Sequence, residues 1–181
     1  MAALGTPATI TSLLTTLADN STGDISEGDL RNALESIRPS LGQLSQQANA
    51  TATTVSASST FYEATLSGTA LSGLELYMDS PASGRLRYTG TPARTFVITA
   101  TITIAAAAGT PTALVGIGVN GTVDATSETS IVTSTGILSV SVGLVVTLTT
   151  NDYVSVMVSN ETDTANFTVS YLSLQAVGYT D

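Results

Sequence analysis

The sequence predicts a mainly β protein, an antiparallel sandwich or jelly roll preceded by a short helical N-terminal segment. Three observations carry this. Apolar residues alternate with polar ones over several long stretches, turn residues separate those stretches, and no helical period lies between them. Residues 95–104 are the plainest case: Phe96, Ile98, Ile102 and Ile104 share one parity, and Thr95, Thr99, Thr101 and Thr103 the other. A period of two with one apolar face marks a half-buried strand. The missing helices between strands exclude a parallel βαβ sheet.

The elements follow in order. Ile10, Leu13, Leu14 and Leu17 fall at helical spacing after Thr9, a suitable N-cap. Residues 19–24 break that helix with turn residues. Ser26 with Asp29 three positions later is a capping-box arrangement, and Leu30, Ala33, Leu34 and Ile37 form the stripe of a second helix that Pro39 ends. Residues 1–39 are therefore expected to be a helical anchor segment. Residues 40–59 are rich in Gln, Ala, Ser and Thr without clear period, and are expected to be a linker or extended arm with a short strand at 53–57.

The β domain is expected over 60–181. Strands are predicted at 61–66, 74–77, 85–88, 94–105 and 113–119, the last ending at Asn120-Gly121, the strongest hairpin dipeptide in the chain. The partner strand falls at 122–127 or 130–133. Leu138, Val140, Val142, Leu144, Val146 and Leu148 alternate next, then Val154, Val156 and Val158 beyond a turn at Asn151-Asp152. Phe167, Val169 and Tyr171 lead the last strand, which continues through Leu172 and Leu174. Eight to ten strands in roughly 120 residues is the density of a sandwich or jelly roll. Ile137 and Val145 place apolar groups on the second face of the 138–148 strand, an excess that self-association would bury.

Composition narrows the chemistry. Charged residues are 10% of the 181, about half the usual share, and Thr plus Ser make up roughly three in ten. The chain has no His, Cys or Lys. Triads with His, Ser-Lys mechanisms, disulfides and Cys zinc sites are excluded. Paired carboxylates remain, but Glu27 and Asp29 sit where acids favour a helix dipole, and Glu161 and Asp163 flank a turn. Counted from Asp19 as a calcium loop, position six is Asp24 where glycine is needed, and position twelve is Leu30 where a bidentate Glu is needed. No enzyme activity, catalytic residue, cofactor or metal is expected. A net charge of −9 speaks against nucleic acid. No apolar run reaches the ~18 residues of a membrane span, and no basic-then-apolar signal opens the chain. Arg85 and Arg87 read as a solvated face or an intersubunit ion-pair site. Asn20, Asn49, Asn120, Asn160 and Asn166 each open an N-x-Ser/Thr triplet, as chance allows in a Thr-rich chain.

Residues 84–98, with Val119-Asn120-Gly121 and 151–156, resemble the jelly-roll head of tailed-phage decoration and fibre proteins, which looks like the tumour-necrosis-factor/C1q type. Residues 19–26 with Asp29-Leu30-Arg31 are similar to a segment near the start of phage fibre and appendage proteins. The resemblance implies a homotrimeric structural virion protein, a capsid-decoration or head-fibre (cement) protein. Its N-terminal segment would meet the major capsid or another virion protein. The alternative is a tail-fibre or baseplate receptor-binding protein for a host glycan, which needs an aromatic pocket around Tyr62, Tyr88 or Tyr153. A non-viral C1q-like surface protein is the third reading, opposed by the lack of Gly-X-Y repeats.

Overall fold

The computed structural model describes residues 37–73 and 75–179. The predicted helices before Ile37, the Asp19 loop and Asn20 lie outside the described residues. Thirteen strands follow: β1 Ser40–Gln46, β2 Ala52–Thr53, β3 Tyr62–Glu63, β4 Ala70–Leu71, β5 Met78–Asp79, β6 Leu86–Tyr88, β7 Arg94–Ala106, β8 Thr112–Val119, β9 Thr122–Val123, β10 Thr129–Val132, β11 Leu138–Leu148, β12 Tyr153–Asn160 and β13 Phe167–Tyr179. They form two antiparallel sheets. Sheet 1 runs β11-β7-β13-β1-β4 with β2 beside β13. Sheet 2 runs β10-β8-β12-β6-β5, with β3 beside β12 and β9 beside β8. The principal strands β1, β6, β7, β8, β10, β11, β12 and β13 cross repeatedly between the sheets, the connectivity of an eight-stranded jelly roll.

The inward rows fill the space between the sheets. Phe96, Ile98, Ala100, Ile102 and Ile104 of β7 are buried, as are Leu172, Leu174 and Ala176 of β13 and Val140, Val142 and Leu144 of β11. Val115 and Ile117 of β8 and Val154, Val156 and Val158 of β12 face them from sheet 2. Tyr88 closes one end edge-on to Phe96, with ring centroids 5.0 Å apart, and donates its hydroxyl to the Pro92 carbonyl at 2.8 Å. A register shift between Val169 and Tyr171 changes the parity of β13. Phe167 and Val169 are therefore inward before it, Leu172 and Leu174 after it, and Tyr171 points out.

Residues 40–59, expected to be a linker or arm with a short strand at 53–57, supply β2 at Ala52–Thr53 and also the seven-residue β1. β1 pairs along its whole length with β13, from Ser40 opposite Gly178 to Gln46 opposite Leu172. Its inward positions are Ser40, Gly42, Leu44 and Gln46, a set too polar to show an apolar period. The first predicted β strand shrinks to Tyr62–Glu63. The 74–77 strand moves to Met78–Asp79, because Tyr77 has φ 58° and turns the chain there.

The segment after β1 is held by Asn49, 3% exposed. Its Nδ2 donates to the carbonyls of Val169 at 2.9 Å, Thr65 at 3.0 Å and Thr51 at 3.2 Å. Its Oδ1 accepts from the backbone N–H groups of Thr51 and Ser67, both at 3.1 Å. One side chain thus joins β13 at its bulge to the chain just before β2 and to the loop after β3. Phe96→Ala is expected to lower unfolding free energy by about 3–5 kcal/mol through a core cavity. Asn49→Ala is expected to cost about 2 kcal/mol or more through orphaned backbone groups. Denaturant midpoints measure both.

Candidate functional site: the uncharged face of sheet 1

The residues between the inward rows of sheet 1 build a second surface. Across β11, β7, β13 and β1 the register aligns Val145, Val97, Val177 and Leu41 in one row. On one side lies the row Thr147, Thr95 and Tyr179. On the other lie Gly143, Thr99, Gln175 and Gln43, then Ser141, Thr101, Ser173 and Ser45, then Ser139, Thr103 and Tyr171. Val145 is 66% exposed, Tyr179 56% and Tyr171 47%. The only charged side chain in the strands of this sheet is Arg94, which is buried. Arg94 donates to the Arg38 carbonyl and to Ser40 Oγ, fixing the entry of β1.

Several hydroxyls of this face bond to the sheet itself, while Thr103 Oγ1 is buried without a partner. Thr101 Oγ1 and Ser141 Oγ lie 2.9 Å apart, Thr95 Oγ1 and Thr147 Oγ1 3.4 Å, and Ser139 Oγ donates to the Ile102 carbonyl at 3.3 Å. Hydroxyls already paired lose less when water is removed than free ones would. A shallow depression of about 140 Å³, lined by Leu41, Gly42, Gln43, Ser72, Gln175, Ala176 and Val177, ends the valine row on the β1 side. Val145 ends it at the other, on edge strand β11. Ile137, predicted with Val145 as surplus apolar surface, is 64% exposed just before β11.

Sheet 2 presents a different exterior. Arg85 Nη2 pairs with Glu63 Oε2 at 2.8 Å and Arg87 Nη2 with Asp79 Oδ2 at 2.6 Å. These arginines, read from sequence as a solvated face or an intersubunit site, thus meet acids of their own chain. The Arg87 hydrogen bonds hold the Asp79 carboxyl below its ordinary range. Part of the same exterior is covered by the loop through Asp124–Ser127. Ser127 Oγ accepts from Ile117 N at 2.8 Å, and a Cβ at Gly116 would lie 2.8 Å from Val123 Cγ2.

The tyrosines considered for a glycan pocket are each engaged separately. Tyr88 is fully buried. Tyr62 Oη accepts from Ala57 N at 3.0 Å. The Arg85 guanidinium covers the Tyr153 ring at 4.3 Å from its centroid. The cavity beside Tyr77, Tyr88 and Pro92 holds about 80 Å³, well under the ~300 Å³ at which small-molecule sites begin. Among the described residues no three His, Cys, Asp or Glu side chains are grouped to hold a metal, and no helix is long and apolar enough to cross a membrane. Glu161 accepts from Ser159 Oγ, and Asp163 accepts from Asn160 Nδ2 and Ala165 N.

The described asparagines of the N-x-Ser/Thr triplets serve the backbone. Asn160 is fully buried, and its Oδ1 accepts from the N–H groups of Thr162 and Asp163, both at 3.0 Å. Asn166 Oδ1 accepts from Val55 N at 3.0 Å. Asn120 bridges to Asp152, which also accepts from Thr149 N and Oγ1 at 2.7 Å each.

The fold and this surface define an antiparallel jelly-roll sandwich with one charged exterior and one uncharged exterior. No family model matches the chain, and no curated protein matches it. Among solved structures it is similar to murine APRIL, at 13% identity over 78% of this chain and 99% of that one, TM-score 0.49. It is similar to PRD1 vertex protein P5 at 11% identity over 78% and 97%, TM-score 0.47. It is similar to rabbit GITRL at 8% identity over 77% and 96%, TM-score 0.43.

Burial alone would raise the Asp152 carboxyl, but donation from Asn120 and Thr149 outweighs it and holds the value below the ordinary 3.8. A carboxyl lowered by folding contributes stability above its unfolded value and loses it as pH falls through the folded value. The melting temperature should therefore hold steady from neutral pH down to about 4–5 and fall below that. Asp152→Asn should melt lower at neutral pH and lose less on acidification. Calorimetry across pH checks both, and an unchanged acid loss in the variant would remove Asp152 as a source.

Proposed function

We propose that this chain is a structural assembly protein that forms a homotrimer through the uncharged face of sheet 1. We further propose that the trimer is a capsid-decoration or head-fibre (cement) knob on a tailed-phage virion. The observation that carries the assembly reading is the segregation of charge. A chain of net charge −9 repels its copies, and an interface centre is depleted of charged groups. The four long strands of sheet 1, at ~3.3 Å per residue and ~4.8 Å between strands, cover roughly 700 Å². That is close to the ~800 Å² per partner of a standard interface.

Two different ends of the valine row face outward: Val145 at the edge and the depression by Leu41 and Val177. Contact between unlike patches is heterologous and closes into a ring when the rotation permits. Three copies is the number the phage-head resemblance implies. The virion setting rests on that same resemblance in residues 84–98, 119–121 and 151–156. Ser40 and Gly178 are neighbours, so segments before β1 and after β13 leave from one end of the sandwich. In this reading the residues before Ser40 attach to the major capsid or another virion protein, and the opposite end faces outward.

Sedimentation equilibrium of the full chain at micromolar concentration should give a trimer, and a monomer there sinks the assembly reading. Val97→Asp combined with Val145→Asp should yield monomers with unchanged far-ultraviolet dichroism, because like charges would be buried at every contact. A chain beginning at Ser40 should stay trimeric and lose binding to capsids. Retained binding would place the attachment within the sandwich.

A further inference from the structure

Asn120 and Gly121 form the two-residue turn between β8 and β9, with φ 51° and 81°. Both positions of such a turn require positive φ, which explains this dipeptide. It is also the single Asn-Gly in the chain, and Asn-Gly has a chemical liability. Glycine has no side chain to shield its backbone nitrogen, and asparagine places an electrophilic amide carbon within reach of it. The surroundings restrain both partners. Asn120 Nδ2 donates to Asp152 Oδ1 at 2.7 Å, Asn120 Oδ1 accepts from Tyr153 N at 3.0 Å, and Asn120 N donates to the Tyr153 carbonyl at 3.0 Å. Tyr153 Oη sits 3.2 Å from where a Cβ on Gly121 would be.

We infer that Asn120 is a latent self-modification site, held shut in the folded chain by Asp152 and Tyr153. When the turn opens, the Gly121 nitrogen attacks Asn120 Cγ. The new C–N bond closes a succinimide, the Cγ–Nδ2 bond breaks, and the side-chain nitrogen leaves as ammonia with the proton from Gly121 N–H. Water then opens the ring at either carbonyl, giving aspartate or isoaspartate. Both products disturb the folded edge. Aspartate sets a carboxylate against Asp152, and isoaspartate adds a backbone atom to a two-residue turn. A molecule that opens at this edge long enough to react is thereby marked and kept from closing as before.

The test incubates the full chain in mildly alkaline buffer, native and in urea, and reads Asn120 by peptide mass and isoaspartate-specific methylation. The unfolded chain should convert at Asn120, and the native chain at least about tenfold more slowly, since the turn must open first. Asp152→Ala should raise the native rate about tenfold by removing the charged acceptor, with far-ultraviolet dichroism unchanged. Three results would each overturn the inference: no conversion in urea, equal rates native and unfolded, or a native Asp152→Ala rate equal to the parent's. If Asp152→Ala does not fold, Asp152→Asn, which gives up the charge, decides the matter: faster native conversion supports the inference and an unchanged rate rejects it.

Discussion

The strict alternation of β7 is the constraint on which the rest depends. This strand lies between β11 and β13 along nearly all of its length. Its even positions fill the core and its odd positions floor the outer face. A slip of one residue would put threonines in the core and isoleucines in water. The core and the proposed assembly face are therefore two sides of one choice of register. Neither can be altered without the other feeling it.

The long strands were legible because each could satisfy that rule alone. β7, β8, β11 and β12 fall close to where alternation put them, and Asn120-Gly121 forms the turn its dipeptide demands. β1 was not legible. Of its four inward residues only Leu44 is a large hydrophobe. Ser40 is buried because Arg94 bonds it, and Gly42 because the Met78 side chain takes the space, with a Cβ there only 2.8 Å from Met78 Cβ. Such burial is set by residues 36 and 54 positions away. The bulge in β13 hides in the same manner, since Asn49 pins it from 120 residues upstream.

The proposed assembly face was half legible. Ile137 and Val145 stand out as apolar residues on the wrong side of a strand. The rows of Thr, Ser and Gln could not be seen as one surface until register set four strands side by side. Tyr88 shows the opposite error: taken by residue type it suits a binding loop, yet it shares the parity of Leu86 and is buried with it. The asparagines repeat this lesson. Asn49, Asn160 and Asn166 satisfy backbone donors that loops in a small sandwich would otherwise bury unpaired.

The pairing of β1 with β13 also sets how the molecule carries force. Ser40 and Gly178 stand opposite each other where the chain enters and leaves. Tension applied between those two points would peel the ladder open one rung at a time. Tension between Ser40 and the loops at the far end instead runs along β1 and loads its seven pairings with β13 in shear, all together. A sandwich pulled from Ser40 against its far end is thus loaded in its strong direction, through sheet 1.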